Sequence, residues 1–190
     1  MQTCYEDNAR TVFLRRAGHK EMCLVHSLAK TQIGGDVATA SVMQKVWRHN
    51  RDVAWLIGHQ ASGDIVGFYL FLFFNENGLR AYEQQLVDTL DPDVSLLTPD
   101  GGKPEAVYLW GVVARGLADR TFPLIVQALP KERYGGVPIL AKAATPGGAY
   151  GLKRYGFGRQ HVAETGEVGD VFRLNREPAY RPGIRPRSVT

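Results

Sequence analysis

Two cysteines, Cys4 and Cys23, are all that this chain of 190 residues contains, and they form neither a CxxC pair nor a Cys/His ligand spacing. That excludes a disulfide framework and a structural zinc site as organising principles, and no metal site is expected. Long hydrophobic runs are missing as well. The longest apolar stretch, Ile65 to Phe74, falls well short of the roughly 20 residues that a bilayer span needs. No positively charged start followed by an apolar core appears at Met1, so a cytoplasmic, reducing setting with no membrane partner is expected. No stretch repeats with a period of 20 to 50 residues, which excludes solenoids and propellers. What is present is ordinary for a globular domain: 44% apolar and 22% charged residues. Such a chain is one domain, long enough to bury a full core.

The net charge of +4 raises the possibility of a nucleic-acid partner, and its distribution argues against one. Residues 1–74 carry 8 basic and 6 acidic side chains, 75–105 carry 2 and 7, 106–174 carry 9 and 5, and 175–190 carry 4 and 1. Much of the excess is a C-terminal tail, residues 175–190, where Arg176, Arg181, Arg185 and Arg187 alternate with Pro178, Pro182 and Pro186. Proline at that density resists helix and sheet, so the tail reads as an extended, solubilising end. The more useful asymmetry is internal: an acidic middle segment faces a basic C-terminal half.

Periodicity predicts a strand from Thr11 to Arg16, then an amphipathic helix from His19 to Lys30. A second helix is expected to start with Ser41 as N-cap and to bury Val42, Val46 and Trp47. Val53 to His59 and Ile65 to Phe74 read as a hairpin around Ala61-Ser-Gly-Asp64, the second strand apolar on both faces and therefore central. Leu79, Tyr82, Leu86 and Leu90 share a helical stripe. Pro92, Pro99, Asp100-Gly-Gly and Pro104 then mark a loop. Ala106 to Val113 is a further strand, followed by a helix ending before Pro130 with Pro123 expected in its first turn. Val137 to Ala144 is a strand, and Thr145-Pro146 opens a short helix that stops at Gly156. Phe157 to Ala163 and Val168 to Leu174 close the order. The result is an α/β domain on a mixed sheet.

Two segments carry chemistry. Val112-Val-Ala-Arg-Gly-Leu-Ala-Asp-Arg120 is a strand running through an Arg-Gly turn into a helix, where free amides form an anion-binding concavity. No GKS/GKT and no GxGxxG is present, so neither a Walker loop nor a Rossmann turn is implied. The second segment, Thr145-Pro-Gly-Gly-Ala-Tyr-Gly-Leu-Lys-Arg-Tyr-Gly-Phe157, is a strand end, a capped short helix and Gly-Phe into another strand. In this order the two resemble the GNAT superfamily of acyl-CoA-dependent N-acyltransferases, and the Phe-Leu-Arg-Arg-Ala17 opening is also similar to the family's start. The resemblance covers most of residues 11–174. It implies a mixed, mostly antiparallel sheet of six to seven strands flanked by helices, with acetyl-CoA as acyl donor. The turn Arg115, Gly116, Leu117, Ala118, Asp119 and Arg120 is implied to cradle the coenzyme A pyrophosphate. Val112, Val113, Thr145, Leu152 and Lys153 are implied to assist. Residues 1–174 form the domain in this reading, with 75–105 an acidic helix-plus-loop insertion.

The sequence departs from the family's pattern in places. Val112 stands where a proline is usual. Arg120 stands where a glycine is common, and either adds a phosphate partner or crowds the backbone. The family's frequent tyrosine, often the acid that protonates the departing thiolate, falls on Leu152. Tyr155 lies where the family buries an apolar residue and is expected in the core. Tyr150 is a catalytic candidate if the glycines around it make the helix irregular. Glu105 and Tyr108, on the strand before the turn, could reach an acceptor amine. The implied function is acetyl transfer to a primary amine by direct attack. The acceptor is a small-molecule or peptidic amine, cationic if the acidic segment shapes its site, and a homodimer is compatible with the reading. A GNAT-like module that binds coenzyme A or a protein partner without catalysis is the alternative.

Overall fold

The computed structural model describes residues 3–4, 12–114, 116–163 and 166–176. The turn residue Arg115 and the tail beyond Arg176 lie outside the described residues. Strands β1 (Thr3–Cys4), β2 (Val12–Arg16), β3 (Ala54–His59), β4 (Ile65–Phe74), β5 (Ala106–Val113), β6 (Ile139–Lys142), β7 (Gly158–Ala163) and β8 (Gly166–Leu174) form one sheet in the order β1-β2-β3-β4-β5-β6-β8-β7. The two-residue β1 extends the expected seven strands to eight. All neighbours pair antiparallel except β5 and β6, which run parallel.

Helices α1 (Met22–Gln32), α2 (Ala40–His49), α3 (Glu76–Glu83), α4 (Ala118–Ala128), α5 (Lys131–Tyr134) and α6 (Pro146–Arg154) cover the sheet. Alternation along β4 divides the two faces. Tyr69 and Phe73 meet Phe122 of α4 and Tyr134 of α5, while Phe74 meets Tyr82 of α3 and Tyr108. With eight of its ten residues buried, β4 is the central strand that its apolar sequence requires.

Local chemistry explains the boundaries, including those that differ from expectation. α2 starts two residues early because Thr39, not Ser41, is the N-cap, its hydroxyl accepting from the Val42 amide at 3.3 Å. The Leu79–Leu90 stripe is helical only to Glu83. Gln85 then takes φ +60°, and Leu86 and Leu90 stand exposed instead of sharing a buried face. Pro123 falls sixth in α4 instead of in its first turn, so the helix lacks the amide that would bond the Asp119 carbonyl. Thr145 caps α6 as expected, accepting from Gly148 N at 3.0 Å with Pro146 next in line, and Gly156 stops the chain at φ +84°.

A buried polar knot lies under the sheet's N-terminal half. Asp52, 1% exposed, takes Arg16 at 2.7 Å, Arg133 at 3.2 Å and the Tyr134 hydroxyl at 2.7 Å. It ties β2, the turn before β3 and α5 together.

Candidate functional site

The parallel pairing of β5 with β6 covers three positions, Val107 with Ile139, Tyr108 with Leu140 and Leu109 with Ala141. Beyond them the strands part. Leu70 of β4 faces Gly111 and Phe71 faces Leu109, which leaves Trp110 as the extra residue of a bulge. A bulge bends and twists its strand, and this one stands where β5 leaves β6. β6 keeps its other neighbour: Lys142 pairs with Val171, and Ala143 exchanges hydrogen bonds with Asp170 and Gly169.

A cavity of about 530 Å³ opens in this gap. Its walls come from the end of α1 and the α1–α2 connection, the middle of β4, β5 from Tyr108 to Val112, the start of α4, and the run from Ala141 through α6. Of the residues that the resemblance implicates with a donor, Val112, Ala118, Thr145 and Leu152 line it. Val113, Leu117, Asp119, Arg120 and Lys153 flank it without lining it.

The start of α4 is fixed from below. Thr121 donates to the Leu117 carbonyl at 2.9 Å and receives the Tyr69 hydroxyl at 2.8 Å, tying the helix's first turn to β4. Burial pushes the Tyr69 phenol up to about 12, with the Thr121 contact acting the other way. No side chain caps α4 at Leu117, and the Arg120 and Thr121 amides already donate to the Leu117 carbonyl, which leaves the amides of Ala118 and Asp119 for a ligand. Gly116 turns at φ +76°, and among the described residues beyond its chain neighbours a Cβ there would meet nothing within 4 Å. An uncapped helix start beside such an open glycine fits a phosphate. Exposed Arg120 and Lys142 enter no ion pair among the described residues, so both are free to face an anion. Asp119, the wrong sign for that place, is taken up by Arg154 at 2.9 Å and the Tyr155 hydroxyl at 2.6 Å. The residues present therefore fit the diphosphate end of coenzyme A.

No family model and no curated protein sequence matches the chain. Solved structures do. An uncharacterized protein from Bacillus halodurans matches with TM-score 0.59 at 11% identity, over 92% of this chain and 90% of that one. The loading GNATL domain of CurA from Lyngbya majuscula matches with TM-score 0.56 at 10% identity, over 86% and 97%. The diaminobutyrate acetyltransferase EctA from Paenibacillus lautus, solved with L-2,4-diaminobutyric acid and coenzyme A, matches with TM-score 0.55 at 15% identity, over 91% and 98%. The chain has the GNAT fold.

Within this GNAT fold the catalytic candidates separate. Tyr108 lines the cavity, is 5% exposed, and its hydroxyl enters no hydrogen bond among the described residues. Burial pushes its phenol up to about 12. Glu105, exposed at the head of β5, and Tyr150, 68% exposed on a regular α6, do not line the cavity. Leu152, 8% exposed, closes the wall with an apolar side chain. Tyr155 stacks on Phe122 at 4.7 Å and also lines the cavity. Its phenol is pushed up by burial first, then by its bond to Asp119. Lys153 pairs with Glu167 across to β8. Sequence reasoning missed Asp36, Lys142 and Trp110 on the cavity wall. Only the Gly34-Gly35 break before Asp36 gave a hint of the first. No helix among the described residues is long and apolar enough to cross a membrane.

Proposed function

We propose that the chain is an acyl-CoA-dependent N-acetyltransferase, moving an acetyl group from acetyl-CoA to a primary amine by direct attack. The observation that carries this reading is the cleft where β5 leaves β6, with an uncapped helix start and an open glycine beside it. Bound acetyl-CoA supplies a thioester that a neutral amine can attack. The chain's residues do the rest. The backbone of Val112 and Val113, past the end of β6, offers strand-edge hydrogen bonds to an extended ligand, as a neighbouring strand would receive. The turn from Arg115 through Gly116, Leu117 and Ala118 to Asp119 and Arg120 receives the diphosphate on the amides that the turn does not itself use, those of Ala118 and Asp119 among them. The Leu117 and Arg120 amides are taken by the Ala114 and Leu117 carbonyls. Arg120 and Lys142 add positive charge there, with Thr145, Leu152 and Lys153 alongside. Tyr108 is the best-placed proton donor for the leaving sulfur, being a buried phenol still protonated at neutral pH, and the proton that the attacking nitrogen sheds on forming the amide replaces the one the phenol gives. The splayed strand β5 offers backbone N–H donors to the thioester oxygen, adding electrostatic stabilisation.

A second reading, a GNAT-like module that binds coenzyme A or a protein partner without catalysis, is favoured by Leu152. The cavity wall is apolar where the family often has a tyrosine, and the Tyr155 hydroxyl is already engaged by Asp119. One two-step experiment separates the readings. A thermal shift with acetyl-CoA tests the donor site, and thiol release against an amine panel tests transfer. A shift without thiol release for any amine favours the second reading. No shift removes both coenzyme A readings.

A further inference from the structure

Two fixed charges line the cleft among the described residues, on different walls. Lys142 ends β6 and leads toward α6, on the side assigned to the donor. Asp36 comes from the α1–α2 connection. It is exposed and enters no ion pair or side-chain hydrogen bond among the described residues.

The surface around Asp36 is apolar. Seven large hydrophobic side chains stand exposed among the described residues, and three of them, Ile33, Leu90 and Val112, line this one cavity. Scattered exposed hydrophobics need no explanation, but their convergence on a cavity marks a ligand surface. Trp110 adds a flat wall, its ring fixed by the indole N–H donating to the Thr89 carbonyl at 2.7 Å.

The acidic segment 75–105 contributes only Thr89 and Leu90 to the lining. Five of its seven carboxylates serve the fold. Glu76 pairs with Arg80, Asp91 with Lys45, and Asp100 with Arg51 and Arg133. Asp88 accepts from the Leu90 amide at 2.8 Å and Asp93 from the Ser95 amide at 2.8 Å. An acceptor's charge is therefore met by Asp36, not by that segment.

From this pairing of an apolar wall with one unpaired carboxylate we infer that the acceptor is an amphipathic amine with a second cationic group. This rests on the acetyltransferase reading above. The reacting primary amine reaches toward Tyr108 and Gly111 on β5. An apolar body lies against Ile33, Leu90 and Trp110, and the second cation is held by Asp36. Free carboxylates and polyhydroxylated bodies are disfavoured. No cation among the described residues lines the Asp36 side of the cavity for the former, and the latter would lose water to an apolar wall.

Three amines of one length test this on the full chain: octylamine, 1,8-diaminooctane and 8-aminooctanoate, ranked by kcat/KM from thiol release at low ionic strength. The expected order places the diamine first and the amino acid last. Asp36→Asn should lower the diamine-to-octylamine ratio of kcat/KM about fivefold, the scale of an exposed ion pair. Asp36→Lys should move 8-aminooctanoate ahead of the diamine. The inference is overturned if the diamine-to-octylamine ratio does not move in Asp36→Asn, if 8-aminooctanoate is the best substrate of the parent protein, or if none of the three turns over while acetyl-CoA still shifts the melting temperature. Absence of that shift in the parent protein overturns the donor reading itself, which keeps the two failures apart.

Discussion

Replacing Gly116 by valine bears on the donor site most directly, and the size of its effects follows from two properties of the residue. The first is backbone: at φ +76° an L-residue costs about 1–2 kcal/mol, and a β-branched one sits at the upper end. For a domain of this size that lowers the melting temperature by roughly 2–8 °C, a loss the fold survives. The second is space. Beyond its chain neighbours, no atom of the described residues lies within 4 Å of a Cβ at this position, so the new methyls occupy space that a bound diphosphate would need. Charge-assisted hydrogen bonds of the kind forfeited there are worth about 1.5–3 kcal/mol, or roughly 10- to 150-fold in affinity. Calorimetry with coenzyme A should show that weakening. S-acetylpantetheine, which has no diphosphate, should keep its KM as an acyl donor. An unchanged coenzyme A affinity refutes the assignment of this turn. An equal loss with both donors also refutes it, because the glycine would then be shaping the cleft instead of receiving phosphate.

Further outcomes are expected at three residues. Tyr108→Phe should lower kcat about 100-fold with the fold retained. Since burial raises the Tyr108 phenol to about 12, deprotonation is delayed, and kcat should show no loss from this group below about pH 11. A basic limb near pH 10 that disappears in Tyr108→Phe would contradict that placement. Tyr155→Phe keeps the stack on Phe122 and loses only the bond to Asp119, so about 1 kcal/mol of stability should go with kcat within threefold. A hundredfold loss of turnover at constant melting temperature would instead make Tyr155 the acid. Asp52→Ala leaves the Tyr134 hydroxyl and the Arg16 guanidinium without their carboxylate partner, and leaves Arg133 only Asp100, at 3.6 Å. Urea unfolding should register a loss of about 3–5 kcal/mol, and a loss under 1 kcal/mol would show the knot to be dispensable.

How far the chain could be read from its residues depended on the range of the interactions involved. β4 and β5 were legible because a continuous apolar run has one stable place, the middle of a sheet covered on both sides. α6 was legible because Thr145, Pro146 and Gly156 act on their immediate neighbours. The Leu79–Leu90 stripe misled because spacing alone does not say whether a face has anything to pack against. Past Glu83 it has nothing, and Leu86 is 71% exposed. Ser41 and Thr39 are both able caps, and only the backbone path into α2 chooses between them. The site follows the same division. The glycine turn and the capped helix are contiguous in sequence. Asp36 and Lys142 are more than a hundred positions apart and share a cavity only because β5 bends away at Trp110. The acidic excess of 75–105 suggested an acidic rim for a cationic acceptor, but five of its seven carboxylates are engaged within the fold in caps and pairs, which a charge count does not register.

The strand order has a consequence for how the molecule is made. From β1 to β5 every neighbour in the sheet is also the next strand in the chain, so the first 113 residues can assemble by successive short closures of low contact order. The remaining strands join that sheet through the three positions shared by β5 and β6. During synthesis from the N-terminus, the aromatic-rich β4 is flanked on both sides before α4 exists, leaving the face that α4 and α5 later cover open in the interval. Pulse-labelled hydrogen exchange during refolding should accordingly protect β3 and β4 amides before those of β8. Truncation after Val113 should give a collapsed species that binds a hydrophobic dye.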